Sequence, residues 1–498
     1  MRSPGQDSGG KTLDPGRQLL GGTMVVFLAE SLLLPTGLLT AAFLTRRLGP
    51  ADYGLLTLAA TVVAWVEWGI ASALARPTIK FVSEAPDWRP VGAVAAQLHL
   101  ATSTGAALLL WFLAPAIATL LEERALAGYL RLFALDIPLF GLALAHRHIL
   151  VGIGAFGPRA LAAAGRWTAR LLLIVLLVEL GLSVPGAILG SIGASLVELI
   201  VGRLYVRPSL FRRARFLARQ WWEYAIPIAL FALSLRLYDR LDLLTLKALG
   251  ATAAQVGIYG AAQNLSIAFS IFAVSFSPLL LSMVSRSLAD GDRRLAKEIA
   301  RQAMRAVIGL LPLTGAAAGA AAEIVGLIFG AAFSAAAPLL ALLVFAALAM
   351  VMISVATAIL TAAGKPGWTF ALTGPLVPLA LGGYLLSIPV LGAVGAALVT
   401  TVLAALAALT AVLAVYGAWR ILPPAGTAWR SLLICGLAYG LALLWPAPGP
   451  LLVVKLAVIA LAIPLAYLLL GEFSASEIAL ARSRLRGSLA PAHTTDRA

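Results

Sequence analysis

Of the chain's 498 residues, 61% belong to the hydrophobic set and only 12% are charged, with a formal net charge of +15. Soluble domains carry roughly 45–50% apolar and about 25% charged residues, and a single soluble core stops growing near ~250–300 residues, so a soluble globular protein is excluded and lipid is the expected solvent. The one cysteine, Cys435, excludes an intrachain disulfide and a cysteine-built metal site.

Residues 1–18 are polar, rich in Gly and Pro, and read as a cytoplasmic N-terminus. The first apolar stretch, 19–44, is longer than a signal-peptide core of about 7–15 residues and reads as an uncleaved span. Further candidates follow at 53–75, 91–115, 126–149, 160–180 and 184–205. These six form a first lobe over 19–206, and a basic linker occupies 207–222. A second lobe, 223–418, holds candidates at 223–246, 256–285, 303–326, 336–361, 368–388 and 390–416. Two more, 429–446 and 449–470, form a C-terminal helix pair, and 471–498 is a cytoplasmic tail. At ~20 residues per span the expected fold is an all-α integral membrane protein of about fourteen transmembrane helices.

Orientation follows from the basic residues. With the N-terminus inside, most of the 37 Lys and Arg fall on the cytoplasmic side, Arg147, Arg159, Arg166 and Arg170 among them. Arg46, Arg47, Arg124, Arg131, Lys247 and Lys455 fall outside. Cytoplasmic loops hold this excess, so both termini are expected in the cytoplasm of an inner (plasma) membrane protein. The basic run Arg203–Arg219 suits anionic headgroups, and nucleic acid is not an expected partner.

The chain also repeats itself. Lys247, Leu249-Gly250 and Tyr259-Gly260 after span 7 echo Arg47-Leu48-Gly49 and Tyr53-Gly54 after span 1. Gly392-Ala393 echoes Gly186-Ala187, and Ile359-Leu360 with Gly364 and Gly367 echoes Ile149-Leu150 with Gly154 and Gly157. A duplicated six-helix unit starts and ends on one side, so the lobes share an orientation about a pseudo-two-fold axis along the membrane normal.

An ionisable residue deep in a span costs about 2.5–3.5 kcal/mol on insertion scales, which makes each one a candidate for function. The candidates are Glu30, Glu67, Asp136 and Glu198, with Arg236, Asp239, Arg240 and Asp242 together in span 7. Arg236, Asp239 and Arg240 share a helix face, where an Arg236–Asp239 pair is either a neutralised structural pair or part of a phosphate-binding face. Glu30, one turn before Pro35-Thr36-Gly37, reads as an ion site, a counter-ion for span 7, or a packing acid. Arg76 and Lys80 at the inner end of span 2 suit a diphosphate, or serve as anchors. Arg47 and Asp52 frame the outer loop. His146 and His148 lack a third ligand and read as a helix end facing headgroups, so neither a metal nor a cofactor is expected.

Phe43-x-x-x-Arg47-Leu48-Gly49-Pro50-Ala51-Asp52-Tyr53-Gly54 resembles the first-loop signature of the Wzx-type oligosaccharide flippases, in the multidrug/oligosaccharidyl-lipid/polysaccharide (MOP) exporter superfamily. Gly69-Ile70-Ala71-Ser72-Ala73-Leu74-Ala75-Arg76, Arg240-x-Asp242, Val256-Gly257-x-Tyr259-x-Ala261-Ala262 and Gly392-Ala393-x-Gly395-Ala396-Ala397 are similar to other segments of that family. The resemblance implies a central cationic cavity between two lobes and alternating access. Its implied cargo is an oligosaccharide on undecaprenyl diphosphate. From their charge and place in the spans, Arg236, Arg240, Arg76, Lys80 and Arg47 are the substrate-binding candidates. Glu30, Glu67, Asp136, Asp239 and Asp242 are the candidates for ion coupling or charge pairing. Expected partners are the lipid-linked oligosaccharide, membrane lipids, and a polysaccharide polymerase with glycosyltransferases. An ion-coupled exporter of drugs or small solutes is the second reading. A membrane glycosyltransferase or polymerase is the third, disfavoured by the short loops, and no enzyme activity is expected.

Overall fold

A computed structural model describes residues 25–210 except 27, then 240–365 and 367–473. In lipid, every backbone N–H and C=O must be satisfied within the chain, which leaves helices for segments this apolar. The described residues are helical accordingly, with no strand among them. Phe112, Leu386, Val390, Leu444, Leu461 and Leu469 stand exposed, as side chains facing lipid do.

In chain order the helices are α1 (Leu33–Glu84), α2 (Trp88–Leu120), α3 (Arg124–Ala134), α4 (Asp136–Gly152), α5 (Phe156–Leu177) and α6 (Ser183–Tyr205). Then come α7 (Leu241–Ala248), α8 (Ala253–Ala289), α9 (Arg293–Gly309), α10 (Leu311–Gly319) and α11 (Ala321–Phe329). The series ends with α12 (Ala336–Ala362), α13 (Gly367–Thr373), α14 (Leu376–Trp419), α15 (Ala425–Leu444) and α16 (Leu451–Leu469).

Among the described residues, 8 helices are long and apolar enough to cross a membrane. The pair Arg293–Gly319 and Ala321–Ile328, bent by 66°, makes 9 if it is one broken span. Three of these helices each hold two of the spans expected from the sequence. Leu28–Glu84, at 57 residues, would run about 85 Å if straight, against a hydrocarbon core of ~30 Å. It breaks at Gly49 (φ 73°). Phe156–Tyr205 breaks at Gly181 (φ 88°), and α14 breaks at Gly392 (φ 57°). Glycine takes positive φ without the steric cost other residues meet. Beyond Gly181 and Gly392 the chain packs back against the segment before the break. Gly190 lies against Ile174 and Gly193 against Leu173, while Gly383 lies against Val399 and the Tyr384 and Thr400 hydroxyls meet at 2.8 Å. Most of the expected span 223–246 lies outside the described residues.

The chain forms two compact units, Met1–Ala261 and Ala262–Ala498. The start of α8 belongs to the first. Its Gly257 meets Gly54 of α1 so closely that a Cβ on Gly54 would overlap the Ala253 carbonyl, and a Cβ on Gly260 would strike Thr57. Small residues permit such approach of backbones in lipid. The duplicated landmarks Tyr53-Gly54 and Tyr259-Gly260 therefore lie on two helices that touch. In the second unit α8, α9, α12 and α14 share a core that includes Val284, Ala300, Met304, Val351, Val355, Ile359, Ala411 and Val415. Helices α15 and α16 dock on α10 through Ala316, Ala320, Ile434, Ala438, Leu452 and Ile459. Buried Cys435 sits beside Gly315 there.

Candidate functional site

Charges in the first unit are arranged by helical periodicity. On α5, Arg159, Arg166 and Arg170 are separated by seven and four residues, so they form one stripe. On α4, Asp136 and Arg147 lie three turns apart on one face. Helix α6 contributes Ser195 and Glu198, one turn apart, α1 contributes Glu67, and the helical turn before α1 contributes Glu30.

Glu198 is the best-enclosed of these groups, its side chain 1% exposed. Arg147 donates from Nε to Oε1 at 2.7 Å and pairs with the same oxygen through Nη2. Arg166 Nη1 donates to Oε2 at 2.9 Å. The Arg166 guanidinium also lies 4.9 Å from the Phe140 ring centre and 5.5 Å from that of Trp167, in cation–π range. Beside this clamp, Arg159 Nη2 pairs with Glu30 Oε1, and Trp167 Nε1 donates to Glu30 Oε2 at 3.2 Å.

Glu67 and Asp136 are held differently. They interact electrostatically with each other and with Arg166 and Arg170. Glu67 Oε1, Asp136 Oδ1 and Ser195 Oγ are covered atoms without a hydrogen-bond partner. So are Arg159 Nη1, Arg166 Nε and Arg170 Nε. The cluster balances its carboxylates against its guanidiniums while leaving hydrogen-bonding capacity unused, which buried polar groups rarely do.

Sequence reasoning found Glu30, Glu67, Asp136 and Glu198 but missed their partners. Read in the sequence as markers of the cytoplasmic side, Arg147, Arg159 and Arg166 on α4 and α5 also pair with carboxylates, and Arg170 lies in the electrostatic range of Glu67 and Asp136. The available signal was their helical spacing. The histidines need correction too. His146 and His148 do not face headgroups: both are buried, with His146 Nδ1 2.7 Å from the Leu142 carbonyl and the His148 ring 5.8 Å from His99. The reason is tight packing of α4 on α6, where Gly202 leaves room for His146. No group of three His, Cys, Asp or Glu positioned for a metal occurs among the described residues.

The other expected residues lie in separate places. Arg236 and Asp239 are outside the described residues. Arg240 caps α7 in a left-handed conformation (φ 70°), with Asp242, Tyr53 and Tyr259 as electrostatic neighbours. Asp242 is buried and accepts from the Tyr259 hydroxyl at 2.6 Å and from Leu243 N–H at 2.8 Å. Tyr53 neighbours both Arg170 and Arg240, which links the two groups. Arg47 pairs with Glu179 at 2.6 Å, both exposed, and Ser183 Oγ lies 3.3 Å from Asp52 Oδ2. Arg76 and Lys80 are exposed on α1, apart from the cluster.

The family described as polysaccharide biosynthesis protein matches residues 43–338. No curated protein sequence matches the chain. Among solved structures, the lipid II flippase MurJ in an inward closed conformation is similar at TM-score 0.69 and 14% identity, over 91% of this chain and 98% of that one. An inward-facing multidrug resistance MATE family transporter of the MOP superfamily is similar at TM-score 0.53 and 17% identity, over 81% and 97%. The Vibrio cholerae MATE transporter VcmN in its bent form is similar at TM-score 0.54 and 17% identity, with the same coverage. The fold is thus that of the MOP-superfamily transporters.

Proposed function

We infer, from the premise that this chain belongs to the polysaccharide biosynthesis protein family, that it is a flippase for a lipid-linked oligosaccharide. The carrier we assign is undecaprenyl diphosphate. The membrane is the inner membrane, with both termini cytoplasmic. The motion is alternating access of the two lobes along a cationic path, and the chain performs no chemistry on its cargo.

The observation that supports this reading is the buried and half-buried charge cluster of Glu30, Glu67, Asp136 and Glu198 with Arg147, Arg159, Arg166 and Arg170. Each charge inside lipid costs several kcal/mol, and a static bundle gains nothing by keeping one only partly satisfied. Unused donors and acceptors suit a lobe whose second arrangement, water or coupling ion completes them. In this scheme Arg76 and Lys80 receive the diphosphate at the inner leaflet, and Arg236 and Arg240 hold it midway. Arg47 meets it at the outer end. Guanidinium geometry suits phosphate oxygens at each stage. Glu30, Glu67 and Asp136 take up and release the coupling cation, while Asp239 and Asp242 balance Arg236 and Arg240. A polymerase and glycosyltransferases are the expected partners. The likeness to MATE transporters favours a second reading, an ion-coupled exporter of small solutes.

The test is complementation of a strain lacking its own oligosaccharide flippase. Wild type should restore surface glycan, and Arg76→Ala/Lys80→Ala and Arg240→Ala should fail while reaching the membrane in normal amount. Failure of the wild type, together with export of a cationic dye from the same cells, would replace this reading with the second.

A further inference from the structure

Two histidines of the first unit have no place in the transport reading. His99 lies on α2 and His148 on α4. These helices pack so closely that a Cβ on Gly141 of α4 would strike the Ser103 side chain of α2. Gly141 and His148 are two turns apart, so they share the face of α4 that meets α2. There the His148 ring stands 5.8 Å from the His99 ring, centre to centre, tilted by 55°. His146, two residues earlier, lies about 200° round the helix, against Gly202 of α6.

A buried imidazole has two nitrogens to satisfy, and buried polar atoms without a partner are rare. His99 is 0% exposed, and its Nδ1 lies 2.9 Å from the Ala95 carbonyl. A carbonyl only accepts, so Nδ1 carries the ring proton and Nε2 is a bare lone pair. That Nε2 is covered and has no partner. The same is true of Nδ1 of His148, a residue only 8% exposed. No hydrogen bond therefore joins these two nitrogens, although their rings are neighbours. A ring N–H given to a backbone carbonyl is how metal-binding histidines are usually held and oriented. Metal–imidazole bonds are ~2.0 Å, so two rings sharing one ion in line stand about 6 Å apart, centre to centre.

Two nitrogens narrow the choice of ion. Zinc takes four ligands, and no group of three His, Cys, Asp or Glu positioned for a metal occurs among the described residues. A soft monovalent ion is satisfied by two donors in a line, and one charge costs less to bury than two. The guanidiniums of Arg147 and Arg159 lie near His148, but Glu198 and Glu30 pair with them. We propose that His99 Nε2 and His148 Nδ1 together bind one soft monovalent metal ion, copper(I) or its analogue silver(I), which ties α2 to α4. The His148 proton then sits on Nε2, and the exposed edge of that ring is the way in. The site is separate from the transport reading and survives its failure.

The test uses the purified full chain in nanodiscs, with Cys435→Ser as the parent because the thiol would also take a soft ion. Silver(I), or copper(I) kept reduced without oxygen, is added. Native mass spectrometry, thermal unfolding and X-ray absorption at the copper edge are followed. The parent should hold one ion per chain, unfold at a higher temperature with it, and show two imidazole nitrogens and no sulfur around copper. His99→Leu and His148→Leu fill similar space without a nitrogen. Each should weaken binding at least about a hundredfold, beyond what loss of an outer partner causes. His146→Gln should bind as the parent does. The absorption spectrum of the parent decides the ligands even if a variant fails to fold. No retained ion, sulfur around copper, or undiminished binding by His99→Leu or His148→Leu overturns the proposal.

Discussion

Two kinds of buried acid coexist in the first unit, and their substitutions separate stability from transport. Glu198 is gripped by Arg147 and Arg166, so Glu198→Ala leaves two guanidiniums buried without their anion. Breaking one partner of such a set costs about 3–5 kcal/mol. Thermal unfolding of the purified variant should register that loss. Glu67 has a covered oxygen with no partner, so Glu67→Gln removes a charge without breaking a clamp. Its thermal stability should stay at or above that of wild type while transport falls at least tenfold. A Glu67→Gln protein that transports normally removes this acid from the mechanism. At the other unit, burial raises the Glu472 carboxyl, but hydrogen bonds from Thr427, Arg430 and Arg305 and the Arg305 charge outweigh it. The net effect holds the group below its ordinary value of 4.5. A carboxylate with a depressed value stabilises the fold fully above its unfolded value and loses that contribution as pH falls through the folded one. The tie between α9, α15 and the end of α16 should therefore hold at neutral pH and weaken below about pH 4.5. Glu472→Gln should flatten that acid limb of the melting curve.

Among the helices, breaks and close approaches matter more than propensity. Gly54 and Gly257 bring α1 and α8 into backbone contact. Gly54→Val should abolish accumulation of folded protein, because the atom it strikes is a backbone carbonyl that no rotamer change can move. Val added at Gly37, where nothing lies near, should be tolerated, and membrane-fraction immunoblots compare the two. The all-helical membrane fold was readable from sequence because runs of ~20 apolar residues have one outcome in lipid. The turn glycines Gly49 and Gly392 were readable as repeat landmarks. The charge partners were not, for a physical reason. An arginine near a span end looks the same in sequence whether it snorkels to a headgroup or turns inward to a carboxylate on another helix. Arg166 and Arg170 turned inward. The histidines were misread on similar grounds, since the room for His146 is made by Gly202, distant in sequence.

The whole molecule combines an all-helical plan with charges that lipid alone would not tolerate. The landmarks Tyr53-Gly54 and Tyr259-Gly260, matched in the sequence, are neighbours in space, and Tyr53 interacts electrostatically with both Arg170 and Arg240. The most direct measurement is movement of an undecaprenyl-diphosphate oligosaccharide across proteoliposomes holding the purified chain, read by glycosidase access from outside. Wild type should expose inner-leaflet substrate at a rate at least tenfold above protein-free vesicles, and Glu67→Gln/Asp136→Asn should fall to that background. Equal rates with and without the wild-type protein, under any imposed ion gradient, would contradict the account.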